Sequence, residues 1–200
     1  GLVRLASWFN QNRGLITACQ IVVGDLMKQK TDFEDKKLEM QRILEEENLV
    51  AFSEVTVVDE YVNGLVTIAQ ANGMANLRSN TVMFGWPQKQ DRLESILQVM
   101  RAISSVGKST IIAKLDWAHE PGQQKRIDIW WRGLENNGDL MLLLAYLLQL
   151  NREWNTAKIC IRSIVENDDE RKKLEKSLKK LVPQVRINAE TEVIVRPKDK

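Results

Sequence analysis

The sequence predicts an α/β protein: a largely parallel sheet covered by helices on both faces, built in two halves. Three observations predict it. Short β-rich runs alternate along the chain with amphipathic stretches of helical period, the pattern of parallel strands joined by crossover helices. The nine-residue run Leu140–Leu148 is apolar all round, and a helix of that kind has to be sandwiched. At 200 residues, roughly 70% of the unfolded chain's surface can be buried, so a core forms without a disulfide or metal staple.

Each element has its own local reason. Gly1–Asn12 reads as a lead-in helix with Leu2, Leu5, Trp8 and Phe9 on one side, broken at Gly14. Leu15–Val23 is a strand ended by Gly24 and Asp25. From Asp32 to Ala51 a charged stretch places Phe33, Met40 and Leu44 at helical spacing. Glu54–Asp59 is a second strand, and Val62, Leu65, Val66 and Ala69 mark a helix that Gly73 stops. Thr81–Trp86 is a strand terminated by Pro87. Leu93, Ile96, Leu97, Met100 and Ile103 stripe a helix closed by Gly107, and Thr110–Leu115 is the next strand.

The second half repeats this rhythm. Ile127–Trp131 is a strand, and Asp139–Leu150 a helix with Asp139 as its N-cap. Ala157–Val165 is a strand, Leu174, Leu178, Leu181 and Val182 stripe a Lys-rich helix ended by Pro183, and Glu190–Val195 closes the chain. The halves meet near Gly107, giving residues 1–107 and 108–200.

Composition excludes several function classes. Twenty-nine Lys and Arg against 27 Asp and Glu leave a charge of +2, too balanced for a strongly basic nucleic-acid footprint or an acidic disordered tail. Two cysteines without paired spacing give no disulfide framework or zinc site and fit a reducing compartment. The apolar run at 140–148 is about half the length of a membrane helix. No signal peptide is evident, and a chain opening at Gly1 reads as a piece of a larger protein.

The chemical motifs are sparse. Val106-Gly107-Lys108-Ser109-Thr110 looks like the end of a phosphate-binding loop. However, Ala102 stands where that loop needs its first glycine, and the segment runs from helix to strand rather than strand to helix. A helix C-cap glycine is the better reading. A nucleotide could instead use the crevice beyond the strand ends, where Gly24, Asp25, Gly85 and Trp86 would lie, although strand-end glycines are also ordinary turn formers.

His119 is the only histidine and sits in the loop Trp117–Gln124. Cys19 and Cys160 lie within apolar strands, where cysteine behaves as a small buried hydrophobe. No serine nucleophile elbow is present. Trp130 and Trp131 point to opposite faces of their strand. At least one therefore plugs the core; a core role for both is the default reading, and a second Trp facing outward would mark a partner surface. On the helix from Asp168 to Val182, Arg171, Lys172, Lys173, Lys176, Lys179 and Lys180 line the polar side. In a free domain that is a solvated face; held beside a membrane, it would meet anionic lipid.

Several stretches, in order from end to end, resemble the C-terminal cytosolic domain of the cation-chloride cotransporters. They are Arg4-Leu5-Ala6-Ser7-Trp8-Phe9 with Arg13-Gly14-Leu15, then Asn76-Leu77-Arg78-Ser79-Asn80-Thr81-Val82-Met83-Phe84-Gly85-Trp86-Pro87. Ile127-Asp128-Ile129-Trp130-Trp131 and Gly138-Asp139-Leu140 through Leu148 follow, and then Trp154 with Lys158-Ile159-Cys160-Ile161-Arg162.

The resemblance implies two universal-stress-protein-like halves on the cytosolic side of a membrane transporter that moves chloride with sodium and/or potassium. It implies a non-catalytic role in regulation and homodimerisation, with the protein's own transmembrane part as partner and no cofactor. Every ion-binding residue would belong to that membrane part. Only eleven residues separate Leu115 from Ile127, where animal members carry long phosphorylated insertions, which points to a microbial relative and leaves phosphoregulation without support. Universal stress proteins that bind ATP use an acidic residue after the first strand and a Gly-rich loop later. Asp25 matches the first, while Gly85-Trp86-Pro87-Gln88 does not match the second, so a nucleotide-sensing module is the alternative function.

Overall fold

The computed structural model describes residues 1–11, 13–25, 30–74, 77–115, 126–132, 137–185 and 187–197. In chain order the elements are α1 (Leu2–Asn10), β1 (Thr17–Val23), α2 (Lys30–Glu46), β2 (Phe52–Val58), α3 (Tyr61–Ala71), β3 (Gly73–Met74), β4 (Leu77–Arg78), β5 (Thr81–Gly85), α4 (Gln90–Ser105), β6 (Ser109–Ala113), β7 (Arg126–Trp130), α5 (Asp139–Gln149), β8 (Lys158–Val165), α6 (Asp168–Gln184) and β9 (Ala189–Val195). The chain is α/β with parallel strands flanked by helices, and it divides into two compact units, Gly1–Ala118 and His119–Lys200. A division after Gly107 would separate β6 from β5. The two strands pair in parallel from Thr81 opposite Ser109 to Gly85 opposite Ala113, and that ladder keeps β6 in the first unit.

In the first unit β1 and β2 form a parallel pair, Thr17 opposite Phe52 through Val23 opposite Val58. A short antiparallel β3–β4 pair follows α3, where the sequence predicted only a helix stop. The core gathers Ala69 of α3, Phe84 of β5, and Ile96, Val99 and Ile103 of α4. Adjacent strand residues face opposite ways. Phe84 turns towards α3 and α4, whereas a Cβ added at Gly85 would meet Leu2 of α1 at 3.4 Å. The β5–β6 pair is thus covered on both faces.

Two glycines serve packing and capping. Gly64 lies near the start of α3, where an added Cβ would come within 2.6 Å of Val58 Cβ, so its missing side chain lets α3 close onto β2. Gly107 adopts φ 75. Its N–H donates to the Ser104 carbonyl at 3.0 Å, and the Lys108 N–H to the Ile103 carbonyl at 3.3 Å, a left-handed helix ending that favours glycine.

The second unit is a three-stranded parallel sheet in the order β7-β8-β9. With that order, right-handed crossovers put α5 and α6 on the same face. The core agrees: Ile127, Ile129, Trp131, Ile159, Ile161 and Val193 meet Leu142 and Ala145 of α5 and Leu178 of α6. Asn167 caps α6 by accepting from the Glu170 N–H at 2.9 Å, while Glu170 reaches back to the Glu166 N–H at 3.0 Å. Pro183 does not end α6, which runs to Gln184; in a last turn it removes only one terminal hydrogen bond. Gly138 rather than Asp139 is the N-cap of α5, and Asp139 instead places its charge in the first turn, where the helix dipole favours it.

Candidate functional site

The four residues proposed for a nucleotide occupy two strand ends. Gly24 extends the β1–β2 ladder, its N–H donating to the Val58 carbonyl at 3.0 Å, with Asp25 next in the chain. Gly85 ends β5, and the Trp86 N–H donates to the Ala113 carbonyl at 2.8 Å, with the indole half exposed. Two shallow depressions lie along single helices, one on α2 and one on α6, and neither is lined by any of these four.

The loop that resembled a phosphate cradle is structural. Lys108 Nζ donates to the Ala69 carbonyl in the last turn of α3 and to Ser79 Oγ at 2.7 Å. A cation there answers the negative end of the helix. The Lys side chain is therefore already used within the fold.

Of the two cysteines, Cys160 is buried as expected and Cys19 is exposed. Packing around the Cys19 thiol and the Glu54 carboxylate 3.8 Å away push its pKa up to about 11, the opposite of what a nucleophile needs. His119 and the loop Trp117–Gln124 lie outside the described residues. Among the described residues, no group of three or more His, Cys, Asp or Glu could hold a metal ion. Nor is any helix long and apolar enough to cross a membrane.

The tryptophan pair divides as the strand period requires. Trp131 is 5% exposed, a core plug whose carbonyl accepts from Ser163 Oγ at 2.9 Å. Trp130 is 51% exposed on the sheet face that α5 and α6 leave uncovered. Register places Trp130, Arg162 and Glu192 side by side across the three strands, with Ile164 and Ile194 paired just above. Arg162 lies over the Trp130 ring, 5.8 Å from its centroid, within cation–π range.

Below the Trp, four ionised side chains close a ring of alternating charge. Arg126 Nε donates to Asp128 Oδ1 at 2.6 Å; Arg162 Nε lies 3.6 Å from the same oxygen. Arg162 Nη2 reaches Glu192 Oε2 at 2.7 Å, and Arg126 Nη2 reaches that oxygen at 3.4 Å. The hydrogen bond to Asp128 raises the pKa of Arg126 still further. Cys160, in register with Asp128 and Glu190, is buried on this same open face. Sequence reasoning singled out Trp130 as one candidate and missed the ring, because its members come from three strands; the alternation Arg126-Ile127-Asp128 was the available signal.

The profile of solute carrier family 12 matches the chain in two stretches, residues 1–103 and 88–199. Among solved structures, one described as the crystal structure of the cytoplasmic domain of a prokaryotic cation chloride cotransporter is similar in fold. It superposes with a TM-score of 0.61 at 19% sequence identity, over 97% of this chain and 75% of that one.

Proposed function

The chain belongs to solute carrier family 12, and from that membership we propose that it is the cytosolic regulatory and dimerisation domain of a cation-chloride cotransporter, whose membrane part carries chloride with sodium and/or potassium. It performs no covalent chemistry. Its mechanism is conformational: paired domains bias the membrane helices to which they are joined, which requires a different interaction energy in different transport states.

One observation carries the dimer reading. Parallel sheets are ordinarily covered on both faces, yet among the described residues the β7–β9 face bearing Trp130 has no helix of its own unit over it. Its ionised side chains balance, Arg126, Lys158 and Arg162 against Asp128, Glu190 and Glu192. A balanced, aromatic-centred face is suited to meeting a copy of itself about a two-fold axis. A stable pairing needs on the order of 1,000 Å² of buried area or more.

Native mass spectrometry of the 23.0 kDa chain tests the assembly. A dimer that Trp130→Ala converts to monomer is the expected result, and a native chain that stays monomeric sinks the dimer reading. For regulation, removing the domain from the full transporter should alter ion flux. Unchanged flux and unchanged regulation would end that reading.

A further inference from the structure

The helical layer of the second unit shows two unlike stripes on its outer side. In α5, Leu142 and Ala145 face the core, while Leu140, Leu143 and Tyr146, with Leu150 at the C-cap, are 40% to 51% exposed on the other side. The only carboxylate of that helix is Asp139, in its first turn. In α6, Leu174, Leu178, Leu181 and Val182 turn inward, and at helical spacing this sends Lys172, Lys173, Lys176, Lys179 and Lys180 outward. The acids of α6 sit in its first turn, apart from Glu175, which Arg171 holds at 2.9 Å. Among the described residues none of the five lysines is paired with a carboxylate. Because α5 and α6 cover the same face of the sheet, the apolar stripe and the basic stripe belong to one outer surface.

The geometry points to an anionic lipid bilayer as the partner of this surface. Lysines reach headgroup phosphates through long apolar stems, and leucines with a tyrosine enter the boundary between headgroups and acyl chains. Other partners satisfy only half of the surface. A soluble polyanion answers the lysines and leaves the leucines in water. A second copy packed on α5 covers the leucines and brings two lysine stripes towards like charge. This inference takes its setting from the assignment to a membrane transporter. It uses the side of the sheet opposite Trp130, so it and the dimer reading can fail separately.

Flotation of the 200-residue chain with vesicles tests it, comparing pure phosphatidylcholine with phosphatidylcholine containing phosphatidylserine. Binding is expected only to the anionic vesicles, and it should fall steeply as salt rises from about 0.1 M to about 1 M. Each lysine contributes about fivefold to such binding, so Lys176→Gln with Lys179→Gln should weaken it roughly 25-fold. These positions face solvent, and circular dichroism checks that the variant folds. Leu143→Gln should weaken binding while leaving the native oligomeric state unchanged. Absence of binding, equal binding to neutral vesicles, or indifference to the lysine changes overturns the inference. So does a Leu143→Gln variant that loses a dimer and keeps its lipid binding.

Discussion

Arg162 lies over the ring of Trp130 on the neighbouring strand, 5.8 Å from its centroid, and grips Glu192 at 2.7 Å on its far side. An exposed indole is thus held in place before any partner arrives, which lowers the entropy lost when it is covered. The same strand sends the next residue, Trp131, into the core.

The two tryptophans should therefore separate stability from assembly. Trp131→Ala is expected to lower unfolding free energy by about 3–5 kcal/mol, the usual cost of emptying a buried aromatic site. Trp130→Ala should cost less than about 1 kcal/mol through its cation–π contact and act on self-association instead. Urea unfolding at a concentration that keeps the chain monomeric separates the two effects.

Gly64→Ala should destabilise, against helix propensity. Alanine is favoured over glycine by about 1 kcal/mol within a helix, but the new Cβ would lie 2.6 Å from Val58 Cβ. Forced overpacking of that kind costs about 1–3 kcal/mol. A raised denaturation midpoint would contradict the close approach of α3 and β2.

Lys108→Met should lower stability by about 1.5–3 kcal/mol, the usual range for hydrogen bonds from a charged donor. It removes the donor to the Ala69 carbonyl and to Ser79 Oγ. Equal denaturation midpoints for the native chain and the variant would show that the ammonium does not hold the end of α3 and the Ser79 segment in place.

The N-cap of α3 adds a pH dependence. The Asn63 and Val62 N–H groups, at 2.8 and 2.9 Å, hold the Glu60 carboxylate below its ordinary value of 4.5. A lowered folded-state pKa contributes stability above the unfolded value, and that contribution disappears as pH falls through the folded value. Glu60→Ala should therefore be less stable than the native chain at neutral pH, and the gap in thermal midpoint should close as pH falls below 4.5.

With its thiol pushed up to about 11, Cys19 should alkylate slowly at neutral pH despite its exposure. Glu54→Gln removes a neighbouring negative charge, lowers that pKa and should speed the reaction. Site-resolved mass spectrometry after iodoacetamide treatment measures it. Fast alkylation of the native chain at neutral pH would contradict the packing around Cys19 and its contact with Glu54.

Much of the fold was legible in the sequence. The stripe Leu93–Ile103 with Gly107 behind it fixes α4 and its ending, since period and cap involve residues a few positions apart. The opposite facing of Trp130 and Trp131 follows from the two-residue repeat of any strand. The candidate site was less legible. Cys160 reads as a buried strand residue, and nothing local says that it lies on the open face beside the Arg126 ring. Lys108 imitates a phosphate ligand because its partner Ala69 lies 39 positions away in sequence.

By itself the sequence determined the alternation of strands and helices, the stripe each helix buries and the absence of a nucleophile elbow. It also carried the motifs that mark the family. Only the tertiary structure decided that β6 stays with β5, that α5 and α6 take one face, and hence which tryptophan is left outside. Helix period, caps and strand alternation arise from forces between near neighbours. Strand order and the side taken by each crossover arise from contacts between residues dozens of positions apart, and local patterning does not encode them.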